Sequence, residues 1–439
     1  MDAWPLVLLI AVSACTLHRS LGADSVDAAA PHARDAEAQA SPDAGARRCG
    51  RPAFSQLFRR AVCACDRVTL GGAFYADSFD SSQGPYMGGA GPSPNAAVGC
   101  NASLEASGAL NLAGDLTVAD PAGLRLPAIT TIRGSLRVNG PLAVGGEAQV
   151  LGDALLTGGI TGTGALHVGR DLVLTPGAAV PLTALIAVDG AVRQEPLVID
   201  APCPCAPAEL PDLVDLIERA STTNDNTLQT FDPAALNDVS TTQRLELTGR
   251  VFVSNLALRQ ALAELTLVVH ERVALFVAGD LDATGSVNVE LKGDAVLDMY
   301  VGGAVSISGT VTQHFGNLDQ PARVRVHVAG DQPLTIDGML DVGANLYAPH
   351  AAVVLRGVHS LWGAVFAQSF ESLTGTSIHY DSASIALDDR CMSDAACARC
   401  GECAATLGCV SGVCTDCQAD TDCCDPLVCD RGRCSLAQL

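Results

Sequence analysis

The sequence predicts an all-β protein whose body is a parallel β-helix (β-solenoid) in two consecutive ladders. One short helix lies between the ladders, and a small disulfide-rich C-terminal module follows. The first ladder contains four glycines that each precede a short aliphatic run: Gly114, Gly134, Gly152 and Gly169. Their spacings are 134 − 114 = 20, 152 − 134 = 18 and 169 − 152 = 17 residues. A repeat of this length matches one coil of a solenoid.

The second ladder repeats a related phrase between residues 273 and 385. It occurs as Val277-Ala-Gly-Asp-Leu281 and again as Val301-Gly-Gly-Ala-Val305. Aliphatic and polar side chains alternate in the intervening run Val287-Asn-Val-Glu-Leu291, which is typical of strands with one buried face. An antiparallel sandwich is the structural alternative, but the regular spacing and the lack of Asn-Gly hairpin turns favour the solenoid.

The composition supports thin aliphatic layers and narrows the possible partners. Only 4% of the 439 residues are aromatic and 43 are glycine, so Val, Leu, Ile and Ala must fill the interior. The formal charge is −22 and Lys292 is the only lysine. A surface of this kind argues against nucleic acid and against anionic membrane surfaces. Eighteen cysteines indicate an oxidising compartment.

Residues 1–15 are interpreted as a lipoprotein signal peptide. An apolar run that is too short to span a bilayer leads into Val12-Ser-Ala-Cys15, which matches the bacterial lipobox. We therefore expect Cys15 to be acylated and to bind a lipid bilayer, and Thr16 favours the bacterial outer membrane or cell surface. The alternative is an ordinary secretory signal with a chance cysteine. Both interpretations lack the usual basic residues after Met1.

Residues 16–48 are predicted to form a disordered tether and residues 49–200 the first ladder. The tether is rich in Ala, Asp, Pro and Ser and has too few large apolar side chains to fold. The first ladder carries four candidates for disulfide bonds: Cys49, Cys63, Cys65 and Cys100. Its aspartate-rich segment Tyr75–Tyr86 suggests either a calcium site or Asx and Ser turns, and the turns are favoured.

Residues 201–243 are predicted to connect the two ladders. Cys203 and Cys205 are separated by one residue, as are Cys63 and Cys65. Such close cysteines rarely bridge each other, so we expect the two doublets to pair, with a zinc site as the alternative. Helical spacing of apolar residues predicts a short amphipathic helix over 211–220. Asn224-Asp-Asn226 follows as a polar turn that lacks the spacing of a calcium loop.

Residues 244–388 form the predicted second ladder. They contain the carboxylates that an enzyme acting on polysaccharides would require. The densest group comprises Asp280, Asp282, Asp294 and Asp298. His379 lies two residues before Asp381, so both side chains would point the same way from a strand. A surface hydrogen bond between them is favoured over acid–base catalysis.

Residues 389–439 form the predicted disulfide module. This region has too few large apolar residues for a core, so disulfides must hold it together. Its eleven cysteines are all candidates for disulfide bonds: Cys391, Cys397, Cys400, Cys403, Cys409, Cys414, Cys417, Cys423, Cys424, Cys429 and Cys434. Eleven is odd, so one thiol is free, pairs between chains or is modified.

Several phrases together resemble one family. They are Asp77-Ser-Phe-Asp-Ser81, Gly84-Pro-Tyr86, Cys203-Pro-Cys205, Asn224-Asp-Asn226, Leu275-Phe-Val-Ala-Gly-Asp280, Asn345-Leu-Tyr-Ala-Pro349, His379-Tyr-Asp381 and Cys423-Cys-Asp-Pro-Leu-Val-Cys429. In this order they resemble large myxobacterial-type cell-surface lipoproteins with a β-helical domain of unknown function and a cysteine-rich C-terminal module. The resemblance implies a cell-envelope location and a β-helical body. It implies no activity, so no catalytic residue is assigned.

The leading functional expectation is a non-enzymatic outer-envelope lipoprotein: a tether, a β-helical stalk, and a disulfide-rich tip at its far end. The stalk and tip would serve structural or adhesive contact with an envelope polymer or a protein partner. No cofactor, metal, nucleic acid or small-molecule substrate is expected. One alternative is a polysaccharide-acting β-helix lyase or glycosidase, which needs clustered carboxylates on neighbouring coils. Another is an inhibitor-like or receptor-binding cysteine-rich tail.

Overall fold

A computed structural model describes residues 57–86, 92–126, 128–180, 185–207, 210–310, 313–357 and 359–386. It also describes four short strands near the C-terminus, within residues 408–435. The predicted fold class is confirmed: the body is a parallel β-solenoid with a short helix between its two ladders. Cys15, the tether, Cys49 and seven of the tail cysteines lie outside the described residues.

The first ladder contains seventeen strands. They are β1 (Val62–Leu70), β2 (Phe74–Phe79), β3 (Val98–Cys100), β4 (Leu104–Ala106), β5 (Leu110–Leu112), β6 (Leu116–Val118), β7 (Leu124–Leu126), β8 (Thr130–Ile132), β9 (Leu136–Val138), β10 (Leu142–Val144), β11 (Glu147–Val150), β12 (Ala154–Leu156), β13 (Ile160–Gly162), β14 (Ala165–Val168), β15 (Leu172–Leu174), β16 (Leu185–Val188) and β17 (Val192–Gln194).

Helix α1 (Leu213–Ala220) precedes the second ladder and α2 (Ala383–Ala386) follows it. The second ladder's strands are β18 (Gln243–Leu247), β19 (Arg250–Val253), β20 (Leu256–Leu258), β21 (Glu264–Val269), β22 (Arg272–Val277), β23 (Leu281–Ala283), β24 (Ser286–Leu291), β25 (Val296–Val301), β26 (Val305–Gly309), β27 (His314–Gly316), β28 (Val324–Val328), β29 (Leu334–Gly338), β30 (Asp341–Gly343), β31 (Asn345–Arg356), β32 (His359–Trp362), β33 (Val365–Ser372) and β34 (Thr376–Asp381).

Two antiparallel hairpins lie in the C-terminal region. The first joins β35 (Gly408–Val410) to β36 (Val413–Thr415), and the second joins β37 (Val428–Asp430) to β38 (Arg433–Ser435). Cys409 is the register partner of Cys414, and Cys429 that of Cys434. The repeated closing pattern of the two cysteine units therefore corresponds to two similar hairpins.

Each coil of the solenoid has three faces, because three short strands follow one another around the axis. β3, β4 and β5 form one such coil, and each pairs in parallel with the equivalent strand of the next coil. Inward-facing side chains are aliphatic and buried, as at Leu116, Leu136 and Leu172. Each side chain of this kind contributes about 1.5–3 kcal/mol when it is fully buried, so the stacked aliphatic side chains supply the core.

The two ladders form one continuous rod, but the chain does not follow it from end to end. One face contains thirteen strands, in the order β16-β14-β11-β8-β5-β2-β34-β32-β30-β27-β24-β21-β18. The first described strands therefore lie in the middle of the rod, beside the last strands of the second ladder. From the middle the chain winds outward to β17, returns through a connector to the opposite end, and winds back to the middle.

The Gly-Asp phrase has a specific structural role at the corners between coils. Asp280 Oδ1 accepts a hydrogen bond from the Ala304 N–H at 2.8 Å. A Cβ atom at Gly303 would lie 2.3 Å from that oxygen. The same arrangement joins Asp115 to the Ser135 N–H over Gly134. Glycine is thus needed where the carboxylate of the preceding coil occupies the space of a side chain.

The connector begins with an extended, largely exposed segment at residues 195–202. Its helix α1 starts two residues later than predicted, because Asp212 is the N-cap and accepts hydrogen bonds from the N–H groups of Val214 and Asp215. The helix buries Leu216 and Ile217 and contacts β22 and β25. The connector therefore covers the outer side of the second ladder.

Candidate functional site

The most distinctive site is the place in mid-rod where the first coil meets the last coil. We call this junction the seam, formed by β1 and β2 on one side and β33 and β34 on the other. β2 pairs with β34 in parallel, so that Asp77 is the register partner of His379. Four of the eight phrases that carry the family resemblance contribute residues here: those at 77–81, 84–86, 345–349 and 379–381. Residues from opposite ends of the sequence are thus brought together.

Asp77 is the central acceptor of the seam and is fully buried. Its Oδ1 lies 2.7 Å from His379 Nδ1. Its Oδ2 accepts hydrogen bonds from the Tyr75 hydroxyl at 3.0 Å and from the Tyr86 hydroxyl. Burial and the bond to Asp77 raise the pKa of both tyrosines, so the hydroxyls stay protonated as donors. The Asx turn expected in this segment is formed by Asp80, which accepts from the Ser82 N–H at 3.0 Å.

Aromatic rings enclose His379. Its ring centroid lies 4.2 Å from that of Trp362 and 4.6 Å from that of Tyr86. Tyr86 also packs edge-on against Phe79 at 5.5 Å. These rings belong to three strands and the loop after β2. The packing therefore fixes His379 in the orientation that faces Asp77.

Asp381 provides a second buried carboxylate at the seam. It accepts hydrogen bonds from the backbone N–H groups of Ser81 at 3.0 Å, Ala322 at 3.1 Å and Ala383 at 3.1 Å. Burial raises its pKa, and these hydrogen bonds oppose that rise. The expected surface hydrogen bond between His379 and Asp381 is wrong. His379 instead pairs with Asp77 of the first coil. Asp381 is buried at the end of β34, where it accepts hydrogen bonds from backbone N–H groups in the adjoining turns.

Further contacts hold the two coils together. The Tyr380 hydroxyl donates to the Phe58 carbonyl at 2.7 Å. Within the second ladder, Asn345 Oδ1 accepts from the Ala364 N–H at 2.9 Å and fixes the start of β33. Phe58 packs edge-on against Tyr347, with ring centroids 6.5 Å apart. The seam is therefore an interface of specific polar contacts and aromatic packing, in addition to strand pairing.

The two cysteine doublets fasten the connector beside the seam. Cys63 is bonded to Cys203 and Cys65 to Cys205, as the matched spacing predicted and in place of the zinc alternative. Asn101 reinforces the join, because its amide donates to the Cys203 carbonyl and accepts from the Cys203 N–H, both at 2.9 Å. Each bridge links residues 140 positions apart and so encloses the whole first ladder.

Cys100 departs from the expectation that it forms a disulfide. It is a buried free cysteine, and its Sγ donates to the Ser103 carbonyl at 3.2 Å. Burial raises the pKa of its thiol to about 11. The side chain points into the aliphatic interior, where it fills the place of a small apolar residue.

Residues 207–386 match the family model of a domain of unknown function (DUF7305). No curated protein and no solved structure matches the chain. The DUF7305 region includes α1, the second ladder and α2. It contains His379 and Asp381 of the seam, whereas Asp77 lies before it. The seam is therefore where the DUF7305 region receives the first coil, and without that coil its last strand β34 would be an edge strand.

The DUF7305 region contains a buried ion cluster. The sequence alone singles out its aspartate, Asp298, but not the arginines that surround it. Asp298 is fully buried and accepts from Arg325 Nε at 2.6 Å and from Arg272 Nε at 3.1 Å. Burial alone would raise the pKa of Asp298, but the two arginines and His327 hold it well below its usual range. Burial lowers the pKa of His327. The spacings 298 − 272 = 26 and 325 − 298 = 27 match one coil, which is the signal that could have identified these partners.

The four aspartates proposed as an acidic group do not form one site. Asp298 is enclosed in the ion cluster and Asp280 caps a coil corner. Asp294 is exposed and pairs with Arg323 at 3.1 Å. Within the described ranges, no group of three or more His, Cys, Asp or Glu residues is arranged to hold a metal ion.

The described surface includes two shallow cavities. One, of about 550 Å³, is lined by residues that include Thr69, Glu105 and Arg125. The other, of about 360 Å³, lies near Asn226 and Asp232. Neither contains Asp77, His379 or Asp298. In the part of the chain that the structure describes, no helix is long and apolar enough to cross a membrane.

Proposed function

We propose that this chain is a non-enzymatic envelope lipoprotein whose β-solenoid is a rigid surface for structural or adhesive contact. The observation that carries the proposal is that the buried carboxylates and the histidine at the seam are occupied by structural contacts that join the first coil to the last. Asp77, His379 and Asp381 are satisfied by contacts across the seam, and Asp298 is satisfied by arginines. The regular features of the chain thus build a surface.

The position of the seam shows where the chain enters and leaves the rod. Phe58 and Tyr380 are in contact, so the chain enters the rod near the place where it leaves. The last coil, with β34 and α2, lies at mid-rod, so the connection to the C-terminal region begins there. The described chain therefore both enters and leaves the rod at its middle.

Membrane fractionation and surface labelling test the lipoprotein part of the proposal. The full chain and Cys15→Ser would be expressed in the same bacterium. We expect the unaltered chain in the membrane fraction and the variant in the soluble extracytoplasmic fraction. Membrane association of Cys15→Ser equal to that of the unaltered chain would contradict an acyl anchor.

An activity test addresses the non-enzymatic part. The purified chain would be incubated with acidic and neutral polysaccharides, with release of reducing ends and unsaturated products as the measurement. We expect no release above buffer. Turnover that is lost in Asp282→Asn but kept in Asp319→Asn would instead establish the lyase or glycosidase alternative.

A further inference from the structure

The two ends of the rod differ in how their last strands are covered. At the second-ladder end, Asp225 Oδ2 accepts from the Arg250 N–H at 2.7 Å. Asn226 accepts from the Phe252 N–H at 2.8 Å and donates to the Phe252 carbonyl at 2.7 Å. Leu236, in a 3-10 helix at residues 233–238, is fully buried over the same end. The polar turn 224–226 is therefore part of a cap.

At the first-ladder end, no equivalent cap is present among the described residues. β16 and β17 each have one hydrogen-bonded neighbour, β14 and β15 respectively. Val192 continues the inward column above Leu172, yet it is 60% exposed. Solenoids require covered ends for solubility, and an uncovered edge strand invites pairing with another chain.

A second copy of this chain is the occupant that fits this end. The exposed surface is the cross-section of a coil, and another open end offers the same cross-section. The tether at residues 16–48 lacks the large apolar side chains needed to cover Val192. The capped opposite end excludes head-to-tail stacking. Two copies would therefore meet head to head about a twofold axis, which closes the assembly at a dimer.

The charges along β17 select a register for this contact. The Ala191 carbonyl and the Glu195 N–H bond to β15. Along a strand, the backbone groups of successive residues point alternately to one neighbouring strand and to the other. The N–H and C=O groups of Val192 and Gln194 therefore point away from β15, to the open side. Antiparallel pairing centred on Gln194 places Arg193 opposite Glu195 of the second copy, whereas pairing centred on Arg193 opposes like charges.

We propose that the open end of the first ladder, centred on β17, is a homodimer interface with paired Arg193 and Glu195. The mass in solution tests this, measured by light scattering on chain carrying Cys15→Ser so that it stays out of lipid. We expect twice the chain mass for this form and a single chain mass after adding Val192→Asp. Leu262→Asp, at a residue that is 97% exposed in the second ladder, is the matched control and should stay dimeric.

A charge exchange separates loss of the interface from loss of folding. Arg193 also pairs with Asp171 of its own copy at 2.5 Å, so the exchange is made in an Asp171→Asn background, which removes that charge. In this background, Arg193→Glu and Glu195→Arg should each weaken dimerisation at least tenfold, and the double variant should restore it. Circular dichroism should show the same β content in every variant. A single chain mass at the highest soluble concentration, a dimer that survives Val192→Asp, or no recovery in the double variant would overturn the proposal.

Discussion

Asp77 Oδ1 and His379 Nδ1 lie 2.7 Å apart, although 302 residues separate them in the chain. The two side chains belong to the first and last coils, whose strands β2 and β34 pair in register. Because the carboxylate accepts, Nδ1 must carry the proton. The pair thus joins the two ladders with an oriented hydrogen bond that is shielded from water.

Removing the acceptor of this pair should destabilise the whole rod. Asp77→Ala leaves His379, Tyr75 and Tyr86 without their common partner, which costs about 2–4 kcal/mol. The free energy of unfolding from denaturant titration is the measurement. The matched control is Asp189→Ala, because Asp189 pairs with His167 at 3.1 Å on the exposed surface and should contribute less than about 1 kcal/mol. Equal losses in the two variants would contradict a structural role for the seam.

The glycine at a coil corner should be intolerant of even one methyl group. Gly303→Ala places Cβ against Asp280 Oδ1 and the backbone of Gly279, so we expect a loss of about 2–4 kcal/mol as one coil shifts. Gly375→Ala is the control, since its nearest atom is the Ala73 carbonyl oxygen at 3.7 Å. Thermal denaturation distinguishes them. A Gly303→Ala protein as stable as Gly375→Ala would show that the Asp-over-Gly contact is not required.

The two disulfides should contribute non-additively. Opening both with Cys63→Ser and Cys65→Ser removes a loop of 140 residues, worth about 4–5 kcal/mol in chain entropy. Cys65→Ser alone should cost much less, because the Cys63–Cys203 bridge still closes almost the same loop. Unfolding midpoints of the single and double variants measure this. Equal and additive losses would contradict the contribution of two overlapping loops to the same constraint.

Thiol counting under denaturing, non-reducing conditions accompanies that test. If Cys15 is acylated as proposed, eighteen cysteines minus Cys15, free Cys100 and the four in the doublets leave twelve. Twelve comprises Cys49 and the eleven of the C-terminal region, an even number. We expect one labelled thiol, at Cys100, and a peptide bridge between Cys49 and that region. Two labelled thiols would contradict the assignment.

The ion cluster predicts a pH dependence of stability. Burial lowers the pKa of His327 below the usual 6.5, so the unfolded chain takes up a proton before the folded chain does. The contribution of His327 to the free energy of unfolding is therefore fully present above about pH 6.5. It is lost as the pH falls toward the pKa of His327 in the folded protein. The depressed pKa of Asp298 acts in the same direction, but only below its usual value of 3.8.

His327→Phe isolates the histidine contribution. Phenylalanine keeps the stacking against Tyr300, whose ring centroid lies 4.7 Å away, but it cannot titrate. The raised pKa of Asp381 opposes the trend above pH 3.8 in both proteins, so their difference reports His327. We expect a shallower loss of unfolding free energy in the variant from pH 7 to pH 5. Parallel curves would contradict a neutral buried His327.

The coil and its local chemistry could be predicted from the sequence, whereas the order of the coils could not. The glycine spacing and the alternation in β24 identify coils because both are local patterns. The equal spacing of the doublets at Cys63 and Cys203 identified the disulfides. The pairing of β2 with β34 left no such signal. Every coil presents a similar aliphatic cross-section, so strand pairing alone does not specify which coil follows which.

The seam residues show the same limit. Asp77 and His379 stand in unrelated local contexts, and only the fold makes them neighbours. The contact of Asp298 with Arg272 and Arg325 could have been predicted, because these residues are separated by about the length of one coil. The sequence instead suggests Asp381 as the partner of His379, since a two-residue separation on a strand is visible in the sequence and a contact over 302 residues is not.

Hydrogen exchange of the strands at the seam tests the central claim most directly. If the first and last coils close one rod, amides of residues 74–79 and 376–381 should exchange as slowly as those of the interior strand Val296–Val301. If the ladders were separate bodies, β2 and β34 would be edge strands. Their amides would then exchange as fast as those of the terminal strand Gln243–Leu247, and that result would contradict a closed seam.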